Sequence, residues 1–451
     1  MTVGKSADCF GHPRGLLYLC LAEGGERFSF FGMQSLLVLY LTHQLLRPGH
    51  VEQVVGFGVV RTAIEAVTGP LSEAALASQL FGIYAGFVYL TPLLGGFLAD
   101  RWLGQTFTVT AGALLMAAGH FLMAFEWSFL LAVLLLLTGV GAFKGNITSQ
   151  VGALYPAGDP RRTAAYQVFQ FSISTAVIAS GLVCGTLGEK AGWHYGFGAA
   201  GVGMLLALAA YLRGRRWLPA QGVRAVGPSD SGQKLSSREK KTVLLLTALV
   251  PLIAGAQLAN QQMFNAFLVW GERNFDLRWA GFVMPVTWLL SADSALSSAL
   301  LAAMIAFWAW CRRRGCEPAE ITKIALGAAF MTLAALLLAA ASLPLAVPGV
   351  KISIGWGIAF EFINEIGFVM MIPANLALFS GAAPKRVQGV MIGVYFLAFL
   401  LANLAVGWLG GRLDRMSSFS FWLLHAGIVA GSTVLLALVA LRGRRLLAPE
   451  I

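Results

Sequence analysis

Apolar stretches long enough to cross a membrane recur along the chain, separated by short polar segments. A transmembrane helix needs about 20 mostly apolar residues. Six such stretches precede a polar gap and six follow it: 16–46, 76–99, 107–125, 129–154, 166–187, 195–212, 243–270, 280–310, 321–343, 352–379, 387–409 and 419–441. The pattern predicts an all-α membrane protein with twelve transmembrane helices. We expect an N-terminal six-helix bundle at 1–212, a cytosolic linker at 213–241 and a C-terminal six-helix bundle at 242–451.

The composition excludes a soluble fold. Of the 451 residues, 57% are hydrophobic and only 12% are charged. The 32 Lys and Arg residues exceed the 21 Asp and Glu residues, but most of them lie in the segments on one side of the predicted membrane. The positive-inside rule therefore places both termini and the linker in the cytoplasm, and the basic excess does not indicate nucleic-acid binding. Arg outnumbers Lys, and Ala and Gly are abundant, which favours a bacterial inner membrane.

Enzymatic chemistry is not indicated. None of the six histidines begins an H-E-x-x-H motif, and no phosphate-binding glycine loop occurs. The five cysteines are scattered without a C-x-x-C pair, which argues against a zinc site or a disulfide framework. We expect no catalytic residue, no cofactor and no metal site.

The end of the second predicted helix carries the segment GGFLADRWLG at 95–104. Its glycines, including Gly96 and Gly104, permit close approach of helices, while Asp100 and Arg101 can pair or cap at the cytosolic face. The spacing resembles the loop signature of the major facilitator superfamily, between the second and third of twelve helices. The resemblance implies the major facilitator fold.

Three ionisable residues enter the membrane together on the first helix. Glu23, Glu26 and Arg27 are spaced i, i+3, i+4 and so share one face. Charged groups at membrane depth are costly and face a cavity or a partner. A carboxylate whose neighbours change between conformations suits proton coupling, although a simple salt bridge at the helix entry is the alternative.

The surrounding segment is similar to the first-helix motif E-x-x-E-R-F-x-Y-Y-G of the proton-coupled oligopeptide transporter (POT) family. Both glutamates, Arg27, Phe28 and Gly32 match, whereas the two tyrosines are Phe30 and Phe31. Further matches are YLTP at 89–92, FKGNI at 143–147, GWHYGF at 192–197 and APKR at 383–386. In the family the fourth-helix lysine pairs with the first-helix acids, which implies the same role for Lys144. A buried lysine also needs such a partner on physical grounds.

Departures from the family motifs fall where the family binds its peptide. The seventh-helix glutamate used in proton handling corresponds to Gln261, and the eighth-helix asparagine corresponds to Asp293. The tenth-helix glutamate that takes the peptide ammonium corresponds to Phe368, while Glu361 and Glu365 share its helix face. We expect Asp293, Glu365 or both to bind the ammonium instead.

The fifth-helix signature F-Y-x-x-I-N-x-G places Gln170 and Ser174 where the family has a tyrosine and an asparagine that contact peptide backbone. Tyr89 keeps its motif position and is a further candidate. The predicted substrate set is Tyr89, Gln170, Ser174, Gln261, Asp293 and Glu365. The predicted coupling set is Glu23, Glu26, Arg27 and Lys144.

These assignments predict a monomeric transporter that imports small peptides or peptide-like zwitterions with protons, by alternating access. Its partners would be the cargo, protons and the lipid bilayer. The altered peptide contacts leave open an alternative cargo, a peptide-derived siderophore or metallophore or another amide-rich compound. The loss of two family acids leaves open a membrane receptor that no longer transports.

Overall fold

The computed structural model describes residues 8–9, 11–156, 159, 161–218, 235–279, 281–443 and 447. Within them the chain is mostly helical. The helices are α1 (Arg14–Tyr40), α2 (Phe57–Thr68), α3 (Glu73–Leu98), α4 (Gln105–Leu122), α5 (Phe129–Ala153), α6 (Arg161–Ser180), α7 (Thr186–Lys190), α8 (Trp193–Gly214), α9 (Ser237–Ala256), α10 (Leu258–Gln261), α11 (Ala266–Asn274), α12 (Trp288–Arg313), α13 (Glu320–Ala341), α14 (Gly355–Gly381), α15 (Gln388–Gly410) and α16 (Ser418–Arg442).

Six two-residue strands form small pairs between the helices. They are β1 (Asp8–Cys9), β2 (His12–Pro13), β3 (Phe275–Asp276), β4 (Arg278–Trp279), β5 (Phe282–Val283) and β6 (Ile352–Ser353). Strands β1 and β2 pair antiparallel, as do β4 and β5, whereas β3 and β6 pair parallel. Strand β5 lies within the stretch that the sequence assigned to a helix starting at 280, and α12 begins only at Trp288.

Each of the twelve predicted apolar stretches contains helix. Within the described residues, nine helices are long and apolar enough to cross a membrane, and a bent pair at the seventh stretch raises this to ten. The two other positions are occupied by α1 and α4. Helix α1 contains four charged residues, Arg14, Glu23, Glu26 and Arg27, and α4 contains the polar residues Gln105 and His120, which lower the apolar character of the two helices. The twelve-span count therefore stays a prediction, whereas the all-helical membrane fold is confirmed.

Two compact units make up the chain. The first contains Met1–Pro70 and Leu90–Gly227, and the second contains Leu71–Tyr89 and Pro228–Ile451. The part of α3 before Leu90 thus packs with the second unit. For example, Ser78 Oγ donates a hydrogen bond to the Gly407 carbonyl of α15.

In the first unit, α1 packs against α6 and α8, and α4 packs against α5 and α8. Small residues allow these close crossings, as is usual between membrane helices. Helix α2, in the loop between α1 and α3, carries an exposed pair in which Arg61 Nε lies 3.0 Å from Glu65 Oε1.

Helix α9 of the second unit begins with a capping box. Ser236 Oγ accepts a hydrogen bond from the Glu239 amide, and the Glu239 carboxylate accepts one from the Ser236 amide. These two bonds satisfy amides that the first helical turn leaves free. In this unit α13 packs against α14 and α16, α9 packs against α15 and α16, and α12 packs against α14. The predicted seventh helix is broken, because α9 and the segment Leu258–Phe264 meet at 49°.

Candidate functional site

Three ionisable side chains of α1 form a buried cluster in the first unit. Arg27 Nε donates a hydrogen bond to Glu23 Oε1 at 2.7 Å and lies 3.2 Å from Glu26 Oε2. All three side chains are buried. Neither oxygen of Glu26 has a hydrogen-bond partner among the described residues. Of the two acids, Glu26 is therefore the less tied by hydrogen bonds and the better suited to exchange a proton.

Glycines next to these acids bring α1 close to its neighbours. A Cβ atom added at Gly25 would lie 2.8 Å from Ala207 Cβ and 2.9 Å from the Gly203 carbonyl oxygen, both on α8. A Cβ atom at Gly24 would lie 3.5 Å from the Ser172 carbonyl oxygen on α6. These close backbone contacts pack α1, which carries the charged cluster, against α6 and α8.

Lys144, the fourth predicted coupling residue, lies on α5. Its Nζ is 5.6 Å from the ring centroid of Phe30, within range of a cation–π interaction. Its electrostatic partners are Arg27, Glu26 and Glu23. The structure thus brings the four predicted coupling residues together, with two cations and two acids.

Gln170 and Ser174 lie one turn apart on α6. Gln170 is exposed and Ser174 is half-buried. The face of α6 that meets Gly24 of α1 is formed by Ser172 and Ala176, so Gln170 and Ser174 point away from that contact. The structure does not bring these two predicted substrate residues into the α1 cluster.

The loop signature follows α3. A π-helical segment, Ala99–Leu103, contains Asp100 and Arg101, and the Arg101 guanidinium lies 5.9 Å from the centroid of the Phe97 ring. Gly104 ends the segment with a φ of 75°, which favours glycine. Of the close approaches expected of the motif's glycines, Gly96 makes none, since a Cβ atom there would have no neighbour within 4 Å. Its neighbour Gly95 makes that approach instead, against the Gly141 backbone of α5.

Gln261 belongs to a chain of buried side chains in the second unit. Asn403 Nδ2 of α15 donates to Gln261 Oε1, and Gln261 Nε2 donates to Asn260 Oδ1. Asn260 Nδ2 then donates to Glu365 Oε1 on α14, and each of the three bonds is 3.1 Å long. Two predicted residues, Gln261 and Glu365, are thus connected through Asn260, which was not predicted. For Asn260 and Asn403, the signal available in the sequence was a polar side chain inside a predicted apolar stretch.

Three buried acids meet at α12 and α14. The exposed fraction is 7% for Asp293, 0% for Glu361 and 1% for Glu365. A side-chain hydrogen bond joins Asp293 to Glu365, and Glu361 interacts electrostatically with both. The structure therefore brings together the two acids assigned to the ammonium, and it adds Glu361 as a third.

The broken seventh helix is held by further buried polar contacts that were not predicted. Gln262 Nε2 lies 2.9 Å from His425 Nε2 of α16, and Asn265 Nδ2 donates to Ser78 Oγ at 2.7 Å. His425 Nδ1 also contacts the Phe421 carbonyl oxygen at 2.8 Å. These bonds fix the segment that carries Asn260 and Gln261.

Tyr89 lies in the part of α3 that packs with the second unit. Its ring stacks on Phe399 of α15, with 4.6 Å between the centroids and 15° between the ring planes. Tyr395 is its electrostatic neighbour. The described residues include no group of three or more His, Cys, Asp or Glu side chains placed to hold a metal ion.

Comparisons with known proteins find similarity to peptide transporters. The family model PTR2, the POT family, matches residues 106–235. The peptide transporter YePEPT of Yersinia enterocolitica is 28% identical over 96% of this chain and 95% of its own length. A di-/tripeptide transporter of Lactococcus lactis subsp. cremoris is 27% identical over 86% of this chain and 87% of its own length. A crystal structure of the peptide transporter POT in complex with sulfate superposes with a TM-score of 0.86 at 23% identity, covering 98% of this chain and 97% of that chain.

Proposed function

The chain is a divergent member of the POT family of the major facilitator superfamily, a family of transporters and not of enzymes, and on this basis we propose that it imports small peptides or peptide-like zwitterions together with protons. The observation that carries the proposal is the buried α1 cluster, in which two acids face Arg27 while Lys144 interacts with all three residues. Unneeded charge at this depth would be costly, so its retention supports a role in coupling.

Glu26 is the proton acceptor of this proposal. Arg27 bonds Glu23 at 2.7 Å, more closely than it approaches Glu26 at 3.2 Å. A proton on Glu26 removes one negative charge from the cluster, so that the two cations Arg27 and Lys144 then share Glu23 alone. The excess positive charge can attract the carboxylate of a peptide, which links proton binding to substrate binding.

The remaining substrate contacts are assigned within each unit. In the second unit, Asp293 and Glu365 take the ammonium, and Gln261 and Tyr89 contribute polar and aromatic contacts. In the first unit, Gln170 and Ser174 contact the peptide backbone. A membrane potential of 100 mV supplies about 2.3 kcal/mol per translocated charge, which corresponds to about 50-fold accumulation per proton.

Transport is proposed to proceed by alternating access of a monomer in the bacterial inner membrane, with both termini in the cytoplasm. The moving parts are the six-helix bundles at 1–212 and 242–451, joined by the linker at 213–241. The loop residues Gly96, Asp100, Arg101 and Gly104 are assigned to gating between them. The names of the Yersinia and Lactococcus relatives support a peptide cargo.

The test is uptake of labelled dialanine into proteoliposomes under an inside-alkaline pH gradient. Glu26→Gln removes the proposed proton acceptor and is expected to abolish gradient-driven uptake, whereas the matched control Glu52→Gln, at an exposed site outside the cluster, is expected to retain it. A folded preparation without dialanine uptake would contradict the peptide cargo. Binding of a metallophore that dipeptides fail to displace would then support the alternative cargo, and a substrate-dependent conformational change without flux would support a receptor.

A further inference from the structure

The second unit contains a carboxyl group that neither the coupling set nor the substrate set uses. Glu361 of α14 has an exposed fraction of 0%, and neither of its oxygens has a hydrogen-bond partner among the described residues. It lies one helical turn from Glu365, which bonds Asp293 and Asn260. The arrangement is an acid pair with a third, unpartnered acid beside it.

The charged groups around Glu361 are acids. Its electrostatic partner is Glu365, and Asp293 interacts with both glutamates. From α13, Lys323 bonds Glu317 and Glu320 instead. His425 of α16 contacts Gln262 and the Phe421 carbonyl. Tyr395 of α15 has the titratable but neutral Tyr89 as its neighbour. Helix α10 contributes the amides of Asn260 and Gln261. Among the described residues, no cation forms an ion pair with the three acids.

Three buried carboxylates that interact with one another, without a cation to pair with, cannot all be ionised in a low-dielectric interior. A peptide brings one ammonium, which can neutralise one of them. The remaining negative charge has to be neutralised by protons, because a proton binds a carboxyl without the cavity that a larger cation needs. This matters most at Glu361, because neither of its oxygens has a hydrogen-bond partner among the described residues.

We propose that Glu361 is the proton-binding residue of the second unit. It shares its proton with the hydrogen-bonded Asp293–Glu365 pair and compensates for the absence of a carboxyl at Gln261. Gln261 remains connected to the cluster, since Asn260 links it to Glu365. An ionised Glu365 accepts a stronger bond from Asn260 than a protonated one. Proton transfer in the cluster therefore acts on the segment just after the 49° break.

The proposal rests on the proposed transport function, but infrared spectroscopy tests it without cargo. In lipid at neutral pH, the C=O stretching band of protonated carboxyls should lose intensity in Glu361→Gln. The band should be shifted but retained in Glu361→Asp and unchanged in Glu52→Gln. Glu26→Gln identifies any share of the band that comes from α1. Full band intensity in Glu361→Gln would overturn the proposal, whatever the cargo proves to be.

The second measurement is the number of protons carried per dialanine, obtained from the reversal potential in proteoliposomes. Glu361→Gln is expected to carry one proton fewer per cycle and to lose less dialanine affinity than Asp293→Asn. An unchanged proton number would overturn the role of Glu361 in coupling. A loss of dialanine affinity equal to that of Asp293→Asn would overturn it as well, because Glu361 would then act as a substrate ligand.

Discussion

Arg27 on α1 bonds Glu23 one turn earlier, with 2.7 Å between Nε and Oε1. The same spacing joins Arg61 and Glu65 on α2, in the opposite order and at 3.0 Å. The side chains of the first pair are 8% and 2% exposed, and those of the second pair are 44% and 24% exposed. Because the two ion pairs have the same spacing and differ in exposure, comparing them shows how burial changes the contribution of such a pair to stability.

Replacing Arg27 by Met is expected to be strongly destabilising. The change leaves Glu23 and Glu26 in a buried site with Lys144 as the remaining cation. Breaking a buried pair in this way costs about 3–5 kcal/mol, whereas removing one partner of an exposed pair costs about 1 kcal/mol or less. Thermal unfolding in detergent should show a large loss for Arg27→Met and almost none for Arg61→Met. Equal small losses would mean that the α1 cluster is hydrated.

Close packing at Gly25 predicts that even one methyl group is harmful there. The Cβ atom of Ala at this position would overlap Ala207 and the Gly203 carbonyl, while a Cβ atom at Gly58 in α2 meets nothing within 4 Å. We expect Gly25→Ala to reduce the free energy of unfolding by about 1–3 kcal/mol, and Gly58→Ala to leave it unchanged or raise it slightly. Chemical denaturation of both variants is the check. A neutral Gly25→Ala would show that α1 and α8 can separate at low cost.

Asp293 is expected to determine preference for a free amino terminus. Asp293→Asn should weaken dialanine binding about 10- to 100-fold, because a hydrogen bond to a charged group contributes about 1.5–3 kcal/mol. Binding of N-acetyl-dialanine, which lacks the ammonium, should not change. Asp414→Asn is the control, since Asp414 is 42% exposed and pairs with Arg273. Equal weakening of both ligands by Asp293→Asn would assign Asp293 a structural role.

The loop between α12 and α13 predicts a pH-dependent contribution to stability. Arg312 and Lys323 donate hydrogen bonds of 2.7 Å to Glu317 and lower the pKa of its carboxyl from 4.5 to about 2. The stabilisation is therefore complete above pH 4.5 and is lost as the pH falls towards 2. Because Arg312 is 70% exposed, we expect Glu317→Gln to cost about 1 kcal/mol or less at neutral pH. Melting curves of the variant and its parent should converge below pH 4.5, and a constant difference would contradict the ion pair.

The positions of the helices could be predicted because apolar length is a local property of the sequence. The α1 cluster could be predicted for the same reason, since Glu23, Glu26 and Arg27 share one helix and the i, i+3, i+4 spacing places them on one face. The break after Ala256 could not, because the apolar stretch at 243–270 continues through it. That break is stabilised by tertiary bonds, such as the one from Gln262 to His425.

Contacts between helices account for the rest of what was missed. The bonds from Asn403 to Gln261 and from Asn260 to Glu365 join residues that are far apart in the sequence. Their pairing depends on how each helix is rotated, which a single sequence does not specify. The same rotation decides that Gly95 and not Gly96 meets Gly141, since adjacent residues of a helix point about 100° apart.

The most direct test of peptide–proton symport measures proton movement that the peptide itself drives. Proteoliposomes with a pH-sensitive dye in the lumen and no imposed gradient are mixed with external dialanine. We predict that the lumen acidifies in proteoliposomes with the parent protein and in those with Glu52→Gln, and that it does not acidify with Glu26→Gln. Entry of labelled dialanine without acidification of the lumen would contradict proton coupling.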